Sequence, residues 1–157
     1  MSTSFQITGL PLLEFSPLFS LDAAELSKRG AQRLIADKKP GFPCRVSLDD
    51  AEPGERVILL PFVHHNTGSS YQSSGPIFVR ESAADAALAP NQIPNVVANR
   101  LLSVRAYDSD GMMVDCNVAE GSRITQTIGR LFDNDRVRYL HLHNARAGCY
   151  SCRVDRA

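Results

Sequence analysis

Apolar and polar positions in this chain mostly alternate in short runs bounded by turn residues, and only two stretches carry a helical stripe. FQITGL (5–10) alternates Phe5, Ile7 and Gly9 with polar neighbours and predicts a first strand. Ala23, Leu26, Gly30, Ala31 and Leu34 fall at helical spacing and predict a helix over 22–37. Ser20 or Asp22 would cap that helix, and Pro40-Gly41 would stop it. PCRVS (43–47) reads as a short strand, and LDDAEPGE (48–55) as a turn. RVILLPFV (56–63) is nearly continuous in apolar residues, the pattern of a strand buried on both faces, although Pro61 has no N–H for a ladder.

A polar segment, 66–75, separates that strand from PIFVRE (76–81). SAADAALAPNQIP predicts a short helix broken by Pro90 and Pro94, with another helical turn over 95–100. The clearest hairpin is 101–118, turning at Asp110-Gly111. Ile124, Ile128 and Leu131 predict a helix over 122–132. A second hairpin pairs 136–143 with 149–155 across NARAG. Strands outnumber helices and are joined by short turns. The expected fold class is α+β: a single domain spanning 1–157, with a mostly antiparallel β-sheet and two to three flanking helices.

Composition narrows the functional classes only a little. The 157 residues suit one domain, and the formal net charge of zero implies no acidic or basic partner. Seven arginines against three acids over 121–157 make a basic bias too weak for a nucleic-acid surface. Gly9, Pro11, Glu14 and Pro17 interrupt the first apolar stretch, which has no basic start, and no run reaches the ~18 apolar residues of a spanning helix. A cytoplasmic protein with reduced thiols and no membrane partner is the expectation.

Candidate chemistry gathers in two places. HLHNARAGCYSC holds a His-x-His and a Cys-x-x-Cys, residue types that bind zinc. Alternate strand residues share a face, so His141 and His143 point the same way, while Cys149 and Cys152 point apart. At most one thiol joins the histidines: Cys149 if it opposes His143, Cys152 if the register slips by one. His141, His143 and Cys149 are thus one candidate metal set, for Zn. A thioredoxin-like role for the two cysteines lacks the helix start it needs. The second place is HHNTGSSYQSSGP, where His64 and His65 leave a buried strand. Up to three of the four imidazoles would meet at one sheet end if the two histidine-bearing strands were parallel neighbours, or if the loop folded back, as an open metal site or as an acid–base pair. Ser70, Tyr71, Ser73 and Ser74 would contribute ligand contacts from the loop, and Arg80 and Arg105 would hold an anion. Segment 66–75 reads equally as the rim of a site and as a mobile connection. Cys44 beside Arg45 offers a nucleophile, against the plainer reading of a buried strand thiol.

Phosphate loops, a nucleophile elbow and a second His-x-Thr are absent from the sequence. The runs PCRVSLDDAEPGERVILLPF, SGPIFVR, LLSVRAYDSDGMMVD and HLHNARAGCYSCRVDRA resemble a bacterial family catalogued as domain of unknown function number 1203. The resemblance covers nearly the whole chain and implies a single-domain cytoplasmic bacterial protein. It implies no activity and transfers no catalytic residues. Three readings follow from the residues themselves. The first is a domain that binds a small ligand or a metal at a sheet end lined by histidines. The others are a hydrolase or transferase using a histidine pair, with or without zinc, and an interaction module without chemistry. An enzyme or metal site needs the two histidine pairs close together. A module predicts scattered histidines and an exposed apolar patch. The substrate and the oligomeric state are not legible.

Overall fold

The computed structural model describes residues 3–157. Strand runs dominate it: β1 (Phe5–Thr8), β2 (Gln32–Ile35), β3 (Arg56–His65), β4 (Ser73–Arg80), β5 (Leu101–Tyr107), β6 (Met113–Glu120), β7 (Tyr139–Asn144) and β8 (Tyr150–Arg156). Three short helices accompany them: α1 (Ala23–Lys28), α2 (Asn95–Ala98) and α3 (Ile124–Phe132). The strands form two antiparallel sheets, one of five strands ordered β1-β8-β7-β5-β6 and one of three ordered β2-β3-β4. This is the α+β class that the alternation predicts.

The larger sheet has two unlike faces because its strands alternate. Leu102, Val104 and Ala106 on β5, Leu140 and Leu142 on β7, and Val154 on β8 are fully buried against Ile124, Ile128 and Phe132 of α3. Each large aliphatic side chain so buried stabilises the fold by about 1.5–3 kcal/mol. The register places Ser103, Arg105 and Tyr107 on the opposite face, beside His143, His141 and Tyr139 of β7. The functional side chains therefore share the face turned away from the helices.

Both expected hairpins form, with Gly111 at φ 74° in the first turn and Asp108 Oδ1 accepting from the Asp110 and Met112 amides. The C-terminal helix also forms, entered through a 3₁₀ turn over Gly121–Arg123.

The expected helix over 22–37 is only α1. Asp22 caps it through the Glu25 amide at 2.8 Å. Gly30 then takes φ 69°, and the Gly30 and Ala31 amides close the last carbonyls, which ends the helix a turn after it starts. Leu34, counted in the helical stripe, instead pairs with Val57 as part of β2. The expected strand 43–47 is reduced to two isolated bridges, Pro43 to Asp50 and Cys44 to Phe78. The expected helix over 82–94 is irregular backbone. Its polar groups bond elsewhere: Asp85 Oδ1 accepts from the Leu12 amide, and Asn91 brackets both backbone groups of Phe5 on β1.

Strand β3 is buried on both faces only at Val57 and Ile58. Strand β2 pairs with it no further than Leu59, so Pro61 lies where β3 has β4 as its one partner. The polar segment is shorter than its composition suggests, since Ser73–Gly75 already belong to β4. What remains is tied to the β5–β6 turn, with Ser69 Oγ donating to Gly111 O at 2.8 Å and Thr67 Oγ1 to Asp110 O at 3.1 Å. No helix among the described residues is long and apolar enough to cross a membrane.

Candidate metal centre

On β7, strict alternation sends Leu140 and Leu142 to the helix side and Tyr139, His141 and His143 to the other. The end of β3 lies over this second face, so that His141 and His143 are 3% and 1% exposed. Adjacent residues on a regular strand point to opposite faces, which would separate His64 from His65. The register of β3 on β4 slips between Val63 and His65, leaving His64 as an extra residue with no partner in the ladder. Such a bulge re-aims a side chain. Both rings consequently reach the histidines of β7, at centroid distances of 5.1 Å for His64–His143 and 5.1 Å for His65–His141.

The chain has four histidines and four tyrosines, and all eight belong to this one assembly. Tyr150 stacks flat on His64, with the planes 2° apart and the centroids 5.2 Å apart. Tyr107 lies 4.0 Å from the His65 ring and stacks on Tyr139. The Arg153 guanidinium, paired with Asp155, sits 4.1 Å above the Tyr139 ring.

The four imidazoles divide into two kinds. His65 has both nitrogens engaged: Nδ1–H donates to Tyr71 O at 2.8 Å, and Nε2 accepts from the Tyr139 hydroxyl at 2.6 Å. A carbonyl only accepts, so Nδ1 carries a proton. His65 therefore holds the loop and Tyr139 in place. In the other three rings, His64 Nδ1, His141 Nδ1 and His143 Nε2 are buried without a hydrogen-bond partner. His64, His141 and His143 can each present one ring nitrogen such that all three lie within 4.8 Å of one another. His143 Nδ1–H donates to Gly148 O at 3.0 Å, which turns the Nε2 lone pair inward. A backbone carbonyl behind a ligating imidazole is the common orienting device at metal sites.

Burial keeps these rings neutral. It holds His64 at about 4, with the Arg105 charge adding to the effect. It holds His141 at about 2, helped by His65, His143 and Arg153. In His143 burial outweighs the Gly148 hydrogen bond and, with Arg105, leaves the ring at about 4. Burial also raises Tyr107, Tyr139 and Tyr150, so their hydroxyls stay protonated. The centre thus offers three unprotonated nitrogen lone pairs, with cationic Arg105 and Arg153 nearby. Three rings that each bring one nitrogen within 4.8 Å of the others would suit an ion that takes imidazole ligands, such as zinc.

Among the residues singled out from the sequence, His64, His141 and His143 come together. Cys149 does not join them. The β7–β8 register slips between Leu142 and His143, so His143 faces Tyr150, while Cys152 opposes Leu142 and lies in the helix-side core. Cys149 instead lines a separate cavity. Tyr71 contributes its carbonyl, and Ser73 and Ser74 are ladder residues of β4 opposite His65 and Val63. Arg80 is committed to Glu55 through two hydrogen bonds, at 3.0 and 2.8 Å, and does not approach the histidines through them. Arg105 does face the cluster from β5. Cys44 is a buried thiol whose Sγ accepts from the Ser47 and Arg80 amides. Sequence reasoning named Tyr71 and missed Tyr107, Tyr139 and Tyr150, which wall the centre. The alternation Tyr139-x-His141-x-His143 was a usable signal for one of them.

No curated protein and no solved structure matches the chain. A family model does, over residues 41–156, a span that includes every histidine and every tyrosine of the centre. The chain belongs to the family described as protein of unknown function DUF1203.

Proposed function

We propose that the protein binds a divalent transition-metal ion on His64, His141 and His143, with a remaining coordination position for water or a small ligand. The observation that carries this reading is the trio of buried ring nitrogens that lack any partner. An unsatisfied buried polar atom costs about 1–3 kcal/mol, so three on neighbouring rings are costly unless something partners them. Imidazole ligands suit zinc, copper, iron and nickel rather than magnesium or calcium. Three neutral imidazoles with an open fourth position are also the ligand set on which a metal lowers the pKa of water, the chemistry of metal-dependent hydrolysis. The metal-free acid–base pair is the weaker reading. A general base works best with a pKa near the working pH, and burial holds these three rings at about 4 or below. The gathering of all four histidines also runs against an interaction module with scattered ones.

Plasma mass spectrometry of tag-free protein, with cobalt(II) titration of the metal-stripped form, tests the proposal. One ion per chain and a tetrahedral cobalt spectrum are expected, with both lost in a folded His64→Ala/His143→Ala variant. Equal metal content in wild type and variant would refute it.

A further inference from the structure

A second feature stands apart from the histidines. A cavity of about 620 Å³ opens between the β7–β8 turn, the start of β5 and the 40–45 segment. Pockets for small organic ligands span roughly 300–1,000 Å³. Pro40, Pro43, Phe78 and Leu101 supply apolar wall. Arg45 supplies a charge in an unusual setting: it lines the cavity, is only 3% exposed, and pairs with no carboxylate among the described residues. Its Nε donates to Tyr150 O at 2.8 Å and one Nη to Pro43 O, so the guanidinium is held rigidly by backbone carbonyls.

Buried charges are ordinarily paired, because leaving an ion unpaired in low dielectric is costly. Burial pulls Arg45 down to about 10, and the groups around it are the thiols of Cys44, Cys149 and Cys152 and the cation of Arg100. Arg100 cannot serve as a free cation, because Asp50 takes it with two bonds at 2.6 and 2.9 Å. Two more polar groups of the wall are uncommitted. Asn144 Oδ1 is buried with no partner, and Arg146 extends from the exposed turn. Glu120 is the one carboxylate of the lining, and it is exposed at the rim.

We infer that this cavity binds a small organic anion with an apolar body. Its oxyanion would meet Arg45, its body the wall of Pro40, Pro43, Phe78 and Leu101, and Asn144 Oδ1 would accept from a donor group on that body. A carboxylate and a phosphomonoester share that chemistry. The inference is independent of the metal centre, since neither Arg45 nor Asn144 is among the three ring ligands.

Calorimetric titration with naphthoate, naphthyl phosphate and neutral naphthalenemethanol tests it. At least one of the two anions should bind one per chain and about tenfold or more tighter than the alcohol, the usual strength of a charge-assisted contact. Whichever anion binds tighter identifies carboxylate or phosphate as the natural group. Arg45→Met should abolish the preference, but it also removes two hydrogen bonds to backbone. Ala147→Trp, on the exposed turn at the cavity wall, fills the space without touching the core. That variant should weaken the anion by about tenfold or more with unchanged thermal unfolding. Equal affinity for the alcohol, anion binding that survives Ala147→Trp, or no binding of either anion at millimolar concentration would overturn the inference.

Discussion

Acid should destabilise the metal-free protein through its buried histidines. His64 and His143 stand at about 4 and His141 at about 2, against an ordinary 6.5. The unfolded chain therefore takes up protons at these sites between about pH 6.5 and 4 while the folded chain does not, and stability present above pH 6.5 is lost as pH falls through that window. At about pH 5 each ring contributes close to 2 kcal/mol of lost stability, from 1.36 kcal/mol per pKa unit over about 1.5 units. Three rings would give about 6 kcal/mol as an upper bound. Half-buried His64 and the mutual coupling of the rings reduce that to about 3–4 kcal/mol, a large part of a domain's ~5–15 kcal/mol. Urea unfolding followed by circular dichroism, in chelator, at several pH values between about 7 and 5 measures the slope directly. His141→Gln should lower the proton uptake by close to one, whatever its own cost to stability. A stability that changes by less than about 1 kcal/mol across this range, or an unchanged slope in the variant, would refute the neutral-imidazole account and with it the electrostatic argument for the metal centre.

Glu55 governs a lower window. Burial pushes it up, but hydrogen bonds from Arg80, Ser82 and the Glu52 amide win and hold it at about 2. The folded value is depressed, so the contribution is present above about pH 4.5 and lost below it. Allowing for partial solvent screening, Glu55→Gln should cost about 1–2 kcal/mol at neutral pH and almost nothing near pH 2, read by chemical denaturation. At Gly121 a Cβ would lie 2.0 Å from Val97 O and 2.6 Å from Ala98 O, both backbone atoms that cannot swing aside. Gly121→Ala should therefore destabilise by about 1–3 kcal/mol in thermal unfolding, whereas Gly129→Ala, where a Cβ meets nothing within 4 Å, should be neutral or stabilising.

Local pattern was sufficient wherever one period ran unbroken between turn signals. The hairpin at Asp110-Gly111, the helix on Ile124, Ile128 and Leu131, and the shared face of His141 and His143 all follow from neighbours within a few residues. The sequence also presented the β7–β8 cysteines as a parity problem that only register could resolve. Tertiary structure decided the rest, because these features depend on contacts between distant segments. Residues 31–35 have apolar spacing that serves either period, and Gly30 together with the open edge of β3 made them a strand. Residues 82–94 lost their helix to bonds with β1 and the Leu12 amide, which no local propensity records. Two single-residue register slips, at His64 and before His143, brought an extra imidazole in and left both thiols out. A bulge carries no composition signature of its own, and its energy lies in how two sheets fit together. The chain alone could therefore name the histidines, and only their packing could show which three are left without partners.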